Sequence, residues 1–263
     1  MRQNFFLLLI LFLYSCSFQP PSSFTQHSVQ KKTLITLDHK FFLIGYDPDY
    51  KLPEFVTYEL TAEKMRMKQF KRRNNFMADP LLRQKGLAVV GQKDYVGSPY
   101  HRGHMAPADD FGWSQESIDA TFVMTNMAPQ MPNLNSNAWL KLENKVRRWG
   151  CGEERITVIT GPLLTPDLSR LSSGVAILKS FYKIIIDETP PRKAIAFIFH
   201  QEDRGDVILE RMVPVQEAYS KLSLLARPAV AKALPSLKRV PASLDGWKEA
   251  NCKSNSNKKG GTK

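Results

Sequence analysis

TNMAPQMPNLNSNAWLKLENK, residues 125–145, sets a polar, proline-punctuated segment directly against a helix. From Ser136 to Trp149 the large apolar residues Trp139, Leu142, Val146 and Trp149 fall three, four and three positions apart, the stripe of an amphipathic helix. Asn135 stands just before it, where a side-chain oxygen can cap the first turn. Four Asn, at 126, 133, 135 and 137, crowd the approach. Two uses of them stay open. Asn tolerates turn backbones, and an Asn carbonyl oxygen is a hard ligand for Mg²⁺. Glu143 lies eight residues past Asn135, which at 3.6 residues per turn is within about 80° of the same helix face. It is placed to hold a metal through water, or to be a solvated helix carboxylate.

Strand patterns dominate elsewhere. Residues 55–60 (FVTYEL) alternate, and 87–90 (LAVV) form a short apolar run. Residues 156–160, 180–187 and 194–199 are β-branched or aromatic runs bounded by turn residues. Lys71 to Phe76 reads as a basic loop leading to Asp79-Pro80. Many strands and few helices, with no internal repeat, predict an α+β fold: a central, mostly antiparallel sheet flanked by helices.

The chain has 263 residues, 43% of them hydrophobic, enough for one domain of roughly 200 residues plus tails. Its formal net charge of +12 favours polyanionic partners: nucleic acid, anionic lipid or acidic glycans. From Pro228 to Lys263, eight Lys and Arg face two acids. The closing residues, 251–263, lack apolar content and read as a solvated basic tail.

Residues 1–16 carry one Arg, an apolar run and then small residues, the shape of an export signal and too short for a membrane span of about twenty residues. They lack the Arg-rich amphipathic pattern of a mitochondrial presequence. Leu13-Tyr14-Ser15-Cys16 resembles a bacterial lipobox, with Cys16 as the lipidated residue, although Tyr14 departs from that pattern. Ordinary cleavage nearby is the alternative. The expected location is therefore the bacterial cell envelope as a lipoprotein, or the periplasm or medium, with membrane contact only through a lipid anchor. Residues 17–32, rich in Ser, Pro and Gln, read as a tether. Residues 33–227 form the domain, and 228–263 a basic C-terminal extension. Cys151 and Cys252 then remain as a pair for a disulfide in an oxidising compartment.

A second crowded stretch is SPYHRGHMAPADDF, residues 98–111. Arg102 offers a forked donor suited to phosphate. Gly103 permits backbone geometry that other residues resist. A neutral His104 imidazole near pH 7 is a good general base for water. His101 and His104 are also spaced like zinc ligands, with Asp109 and Asp110 as further oxygens, but no CxxC or HExxH completes a tetrahedral set.

Together the two stretches resemble the DNA/RNA non-specific endonucleases, the ββα-metal nucleases of the endonuclease G type. YHRGHMAPADDF is similar to a motif that reads Asp-Arg-Gly-His followed by Met-Ala-Pro, and TNMAPQMPNLNSNAWLKLE to the second motif. FLIGYDPDYKLPEFVTYEL, VITGPLL and SFYKIIID resemble the flanking strands, and the likeness spans about residues 38–210. The resemblance implies a ββα-metal site. It puts His104 at the general base, Asn135 at the direct Mg²⁺ ligand (Mn²⁺ as an alternative), and Glu143 at the carboxylate that reaches the metal through water. Arg102 matches the arginine at the scissile phosphate, Asn126 a supporting catalytic residue, and Arg73 or Arg72 a further phosphate-binding arginine. It also implies metal-dependent hydrolysis of DNA and RNA without sequence specificity, leaving 5′-phosphate ends. One position departs: His101 stands where the family has Asp. That departure leaves room for an alternative, a catalytically degenerate envelope protein that holds nucleic acid without cutting it.

Overall fold

The structure is a computed structural model that describes residues 33–67, 69–165, 168–234 and 241–252. The export signal with Cys16, the tether and the tail residues 253–263 lie outside the described residues. In chain order the strands are β1 (Ile35–Asp38), β2 (Phe42–Asp47), β3 (Leu52–Thr61), β4 (His101–His104), β5 (Met127–Gln130) and β6 (Arg155–Leu163). They continue with β7 (Ser169–Arg170), β8 (Ala176–Ile177), β9 (Ser180–Asp187), β10 (Lys193–His200) and β11 (Met212–Val213). The helices are α1 (Ala62–Arg66), α2 (Pro80–Gln84), α3 (Gln115–Ala120), α4 (Trp139–Gly152), α5 (Val215–Ser220) and α6 (Arg227–Ala233).

Seven strands form one sheet in the order β1-β2-β3-β6-β9-β10-β11, and every pairing in it is antiparallel. β9 and β10 show why it is central. Successive side chains point to opposite faces, and both faces are apolar. Phe181 and Ile185, with Ile195, Phe197 and Phe199, join one core with Trp139, Leu142, Val146 and Trp149 of α4. Tyr182, Ile184 and Ile186, with Ala194, Ala196 and Ile198, join a second core with Val215, Ala218 and Val230 from α5 and α6. Burying each large aliphatic side chain contributes about 1.5–3 kcal/mol. The aromatic stripe read from the helix is therefore the seam between α4 and the sheet, with Trp139 edge-on to Phe199 at 5.7 Å and Trp149 stacked on Phe197 at 6.0 Å.

Three sequence expectations change. Residues 87–90 are not a strand. Val90 is buried and Leu87 and Val89 pack against the core, but among the described residues no strand pairs with them. A strand needs a ladder partner as well as an apolar run.

Second, the extension from residue 228 is not separate from the domain. α6 spans that boundary, and Val230 and Leu234 are fully buried. Leu244 and Trp247 pack on the α4 side of the sheet, and the Ala250 N–H donates to the Arg148 carbonyl at 3.0 Å. A disulfide joins Cys252 to Cys151 at the end of α4, with Cα atoms 5.6 Å apart. Enough apolar side chains lie among the charges of residues 228–234 and 241–252 to dock both stretches.

Third, Asn135 is not a helix cap. The helical backbone already runs from residue 132, and Leu134–Ala138 form a π turn in which the Trp139 N–H reaches back five residues to the Leu134 carbonyl.

Candidate active site

β4 and β5 pair antiparallel, His101 opposite Gln130 and His104 opposite Met127, and lead into the π turn and α4. This ββα unit carries both crowded stretches. The period of two along β4 puts Arg102 and His104 on the same face. There the Arg102 guanidinium lies 4.1 Å from the Phe76 ring centre, and the His104 ring 5.7 Å from it. The chain just beyond His104 is clamped by Asn126. Its Oδ1 accepts from the Ala106 N–H at 2.9 Å, and its Nδ2 donates to the Ala106 and Thr121 carbonyls at 3.0 and 2.9 Å. Fully buried and fully bonded to backbone, Asn126 positions the strand and does not face the cavity.

Gly103 is required for a different reason from the one expected. Its backbone is extended within β4, and a Cβ there would lie 2.0 Å from Oε1 of the buried Gln130. Space against Gln130, rather than unusual dihedrals, excludes a side chain.

A cavity of about 380 Å³ opens in front of this strand, and Arg72, Tyr95, Tyr100, Arg102, His104 and Asn135 are on its wall. His104 is 9% exposed and wedged against Phe76 and Phe122, with no hydrogen-bond partner on its buried Nε2. Burial first, then the charges of Arg72 and Arg102, push its pKa down to about 3. At neutral pH it is an uncharged imidazole whose buried Nε2 has no partner.

Of the two loop arginines, the cavity takes Arg72. Its guanidinium sits 5.6 Å from the Phe122 ring centre and its Nε donates to Asn74 Oδ1 at 3.2 Å. Arg73 is turned to Asp119, 3.4 Å away. Arg73, Asn126 and Glu143 are not on the cavity wall.

Asn135 reaches the cavity from the π turn, and its Nδ2 lies 3.2 Å from His101 Nδ1. A π turn is a recurrent device for aiming a side chain at a functional site. Its wider winding advances less per residue than an α-turn, so the eight residues to Glu143 close toward two whole turns.

Glu143 is buried within a charged cluster that sequence reasoning missed. Asp110 accepts from Tyr58 Oη at 2.7 Å and from Arg147 Nη1 at 2.8 Å. Lys183, fully buried in the middle of β9, sets its ammonium 4.6 Å from the Trp139 ring centre without a hydrogen bond. Burial raises the pKa of Glu143, while Lys183 and Arg147 pull against it. Burial likewise lowers that of Lys183. The available signal was a lysine inside the apolar run SFYKIIID, at a position whose neighbours two residues away face α4. Asp110 is thus committed, Asp109 lies 4.0 Å from Arg72, and no group of three or more His, Cys, Asp or Glu gathers among the described residues.

Comparison with known proteins agrees with this geometry. A family model described as DNA/RNA non-specific endonuclease matches residues 21–223. The mitochondrial endonuclease G of Homo sapiens is 30% identical over 216 residues, covering 76% of this chain and 72% of that protein. A nuclease of Syncephalastrum racemosum is 35% identical over 141 residues, covering 52% and 43%. The crystal structure of an EndoG/EndoGI complex superposes with a TM-score of 0.64 at 26% identity, covering 73% of this chain and 86% of that one. With its ββα unit, its antiparallel sheet and a match over well over half its length, the chain belongs to the DNA/RNA non-specific endonucleases and is a hydrolase of nucleic acid.

Proposed function

We propose that this endonuclease cleaves DNA and RNA without reading sequence, in the presence of Mg²⁺, and leaves 5′-phosphate ends. The observation that carries the reading is His104: uncharged, with an unpartnered nitrogen, between two arginines on one cavity wall. Neutral His104 takes a proton from water, and the water oxygen attacks phosphorus. The bond to the 3′ oxygen breaks, a solvent water gives that oxygen its proton, and the phosphate stays on the 5′ side. Arg102 and Arg72 hold the phosphate oxygens by charged hydrogen bonds. Their side chains are braced on Phe76 and Phe122, which limits the entropy lost when they engage.

The residues present suit a hard divalent cation. Asn135 Nδ2 is turned to His101, which leaves its carbonyl oxygen as the free end. Asn135, and Glu143 through water, would hold the ion. When bound, Mg²⁺ (or Mn²⁺) supplies Lewis-acid stabilisation of the charge developing on phosphate. The net charge of +12 supports tight, salt-sensitive binding of polyanions through phosphate contacts, which carry no sequence information.

The Cys151–Cys252 disulfide supports a location outside the reducing cytosol, as a lipoprotein anchored at Cys16 or a cleaved periplasmic or secreted protein. The test of function is cleavage of plasmid DNA and of a long RNA by the mature chain, with Mg²⁺ or EDTA, beside His104→Ala. Metal-dependent cutting, 5′-phosphate ends and loss in the variant are expected. Intact nucleic acid under all conditions, with binding retained, would overturn the proposal.

A further inference from the structure

A second cavity of about 390 Å³ adjoins the catalytic one, and Tyr100 lines both. Met131 and Asn133 also line it, and they lead directly into the turn that carries Asn135. Its back wall is built around Gln201, which is 7% exposed. Gln201 Nε2 donates to the Pro129 and Leu178 carbonyls, each at 2.8 Å, and its Oε1 accepts from the Met131 N–H at 2.7 Å. One side chain therefore ties β5, the link between β8 and β9, and the entry to the π turn. β5 pairs with the strand of Arg102 and His104. The second cavity and the catalytic cavity are held in fixed register.

Its rim carries two exposed cations, Lys179 and Arg204, and one acid, Glu202. Among the described residues Lys179 and Arg204 make no side-chain ion pair or hydrogen bond. By contrast, the loop arginines face Asp109 and Asp119, and Arg211 is bonded twice to Asp203. Free cations, two side-chain amides, a thioether and a tyrosine ring make a wall that suits both halves of a nucleotide: phosphate on the cations, base on the ring.

We propose that this second cavity is a nucleotide subsite, seating the nucleotide next to the scissile phosphate on the same strand. Lys179 and Arg204 contact its phosphate, and Tyr100 is the partition on which its base stacks. The inference rests on the reading of His104 and Asn135 as the catalytic centre. It names which way the strand leaves that centre.

The test compares the wild-type chain with Lys179→Glu/Arg204→Glu. Both sites are exposed, so folding should be unaffected. Lys221→Glu/Lys232→Glu, on the helices that cover the opposite face of the sheet, makes the same change in net charge as a control. Three readouts are taken: cleavage of long DNA, cleavage of bis(p-nitrophenyl) phosphate, which needs only the catalytic cavity, and binding of a single-stranded oligonucleotide in EDTA across salt concentrations. For the subsite variant we expect KM for DNA to rise about tenfold or more with kcat nearly unchanged. The small ester should be cleaved at the wild-type rate, and the salt slope of binding should fall by roughly 1.4, about 0.7 per lost phosphate contact on a single strand. The control should change none of these. An unchanged DNA KM and salt slope, an equal change in the control, or an equal loss on both substrates would overturn the subsite. Wild-type failure on both substrates, with the binding difference intact, would instead overturn the catalytic assignment and leave the binding cavity standing.

Discussion

The side-chain nitrogen of Asn135 lies 3.2 Å from Nδ1 of His101, across the mouth of the catalytic cavity. The position that departs from the family motif is thus in contact with the proposed metal ligand. Accepting that N–H turns the Asn135 carbonyl oxygen outward. Removing the acceptor frees the amide to rotate, and contacts of this kind are worth roughly 10–100-fold in metal affinity or activity. His101→Leu is expected to raise the half-saturating Mg²⁺ concentration by that factor, and to weaken Mn²⁺ binding measured by calorimetry. His101→Asp, which restores both acceptor and negative charge, should lower it below wild type. Unchanged ion affinity in His101→Leu would show that the contact does not orient Asn135.

The arginines are expected to separate. Arg72→Ala should cost roughly 10-fold or more in kcat/KM, in line with about 1.5–3 kcal/mol for a hydrogen bond to a charged group. Arg73→Ala, which releases only an exposed pair with Asp119, should stay within about threefold. Equal losses would place both guanidinia on the substrate.

Two buried groups with pKa shifts in opposite directions set the pH response. His104 has a folded pKa pushed down to about 3, so it stays a neutral base across the working range. The unfolded chain, with an ordinary imidazole near 6.5, binds the extra proton first. Its contribution to stability is therefore lost as pH falls from about 6.5 toward 3. Glu143 is the reverse: burial raises its pKa, against the pull of Lys183 and Arg147. Cleavage is expected to fall on acidification as Glu143 takes a proton, well before His104 does. Lys183→Met removes the leading opposing charge, so the acid limb of kcat/KM should move to higher pH. An acid limb that stays in place in Lys183→Met would exclude Glu143 as its source.

Gly103 and Gln130 form a matched pair. Gly103→Ala drives a methyl into the fully buried side chain of Gln130, which must shift to admit it. A loss of about 1–3 kcal/mol in stability is expected, together with reduced cleavage as β4 shifts with His104. Gly103→Ala/Gln130→Ala should recover most of the loss in Tm. Failure of the double variant to recover would mean that the backbone of β4, not the space beside it, requires glycine.

The disulfide closes a loop of 101 residues. Cys252→Ser, or a reductant, is expected to cost about 2–5 kcal/mol and to lower Tm in calorimetry. The reduced chain should also lose protease protection in residues 241–252 before the sheet unfolds. Identical Tm values with and without reductant would show that the bond adds nothing to the docking of this segment.

What the sequence determined is what short periods and residue types can encode. Alternation of two placed β3, β-branched and aromatic runs bounded by turn residues placed β6, β9 and β10, and spacings of three and four placed α4. The two motifs carried the imidazole, the amide and the arginine whatever their partners. Tertiary structure decided everything that depends on a distant neighbour. Residues 87–90 have strand character but no partner to pair with. Asn135 looked like a cap until a π turn aimed it at a histidine 34 positions away. Arg72 and Arg73 are adjacent in sequence, and only Phe122 and Asp119 send them in different directions. Lys183 reads as a charge in a strand, and becomes a buried cation only because α4 covers its face of the sheet. The physical reason is the same in each case. Local geometry is set within a turn or a pleat, while burial, hydrogen-bond partners and charge neighbours are set by segments that meet only when the chain has folded.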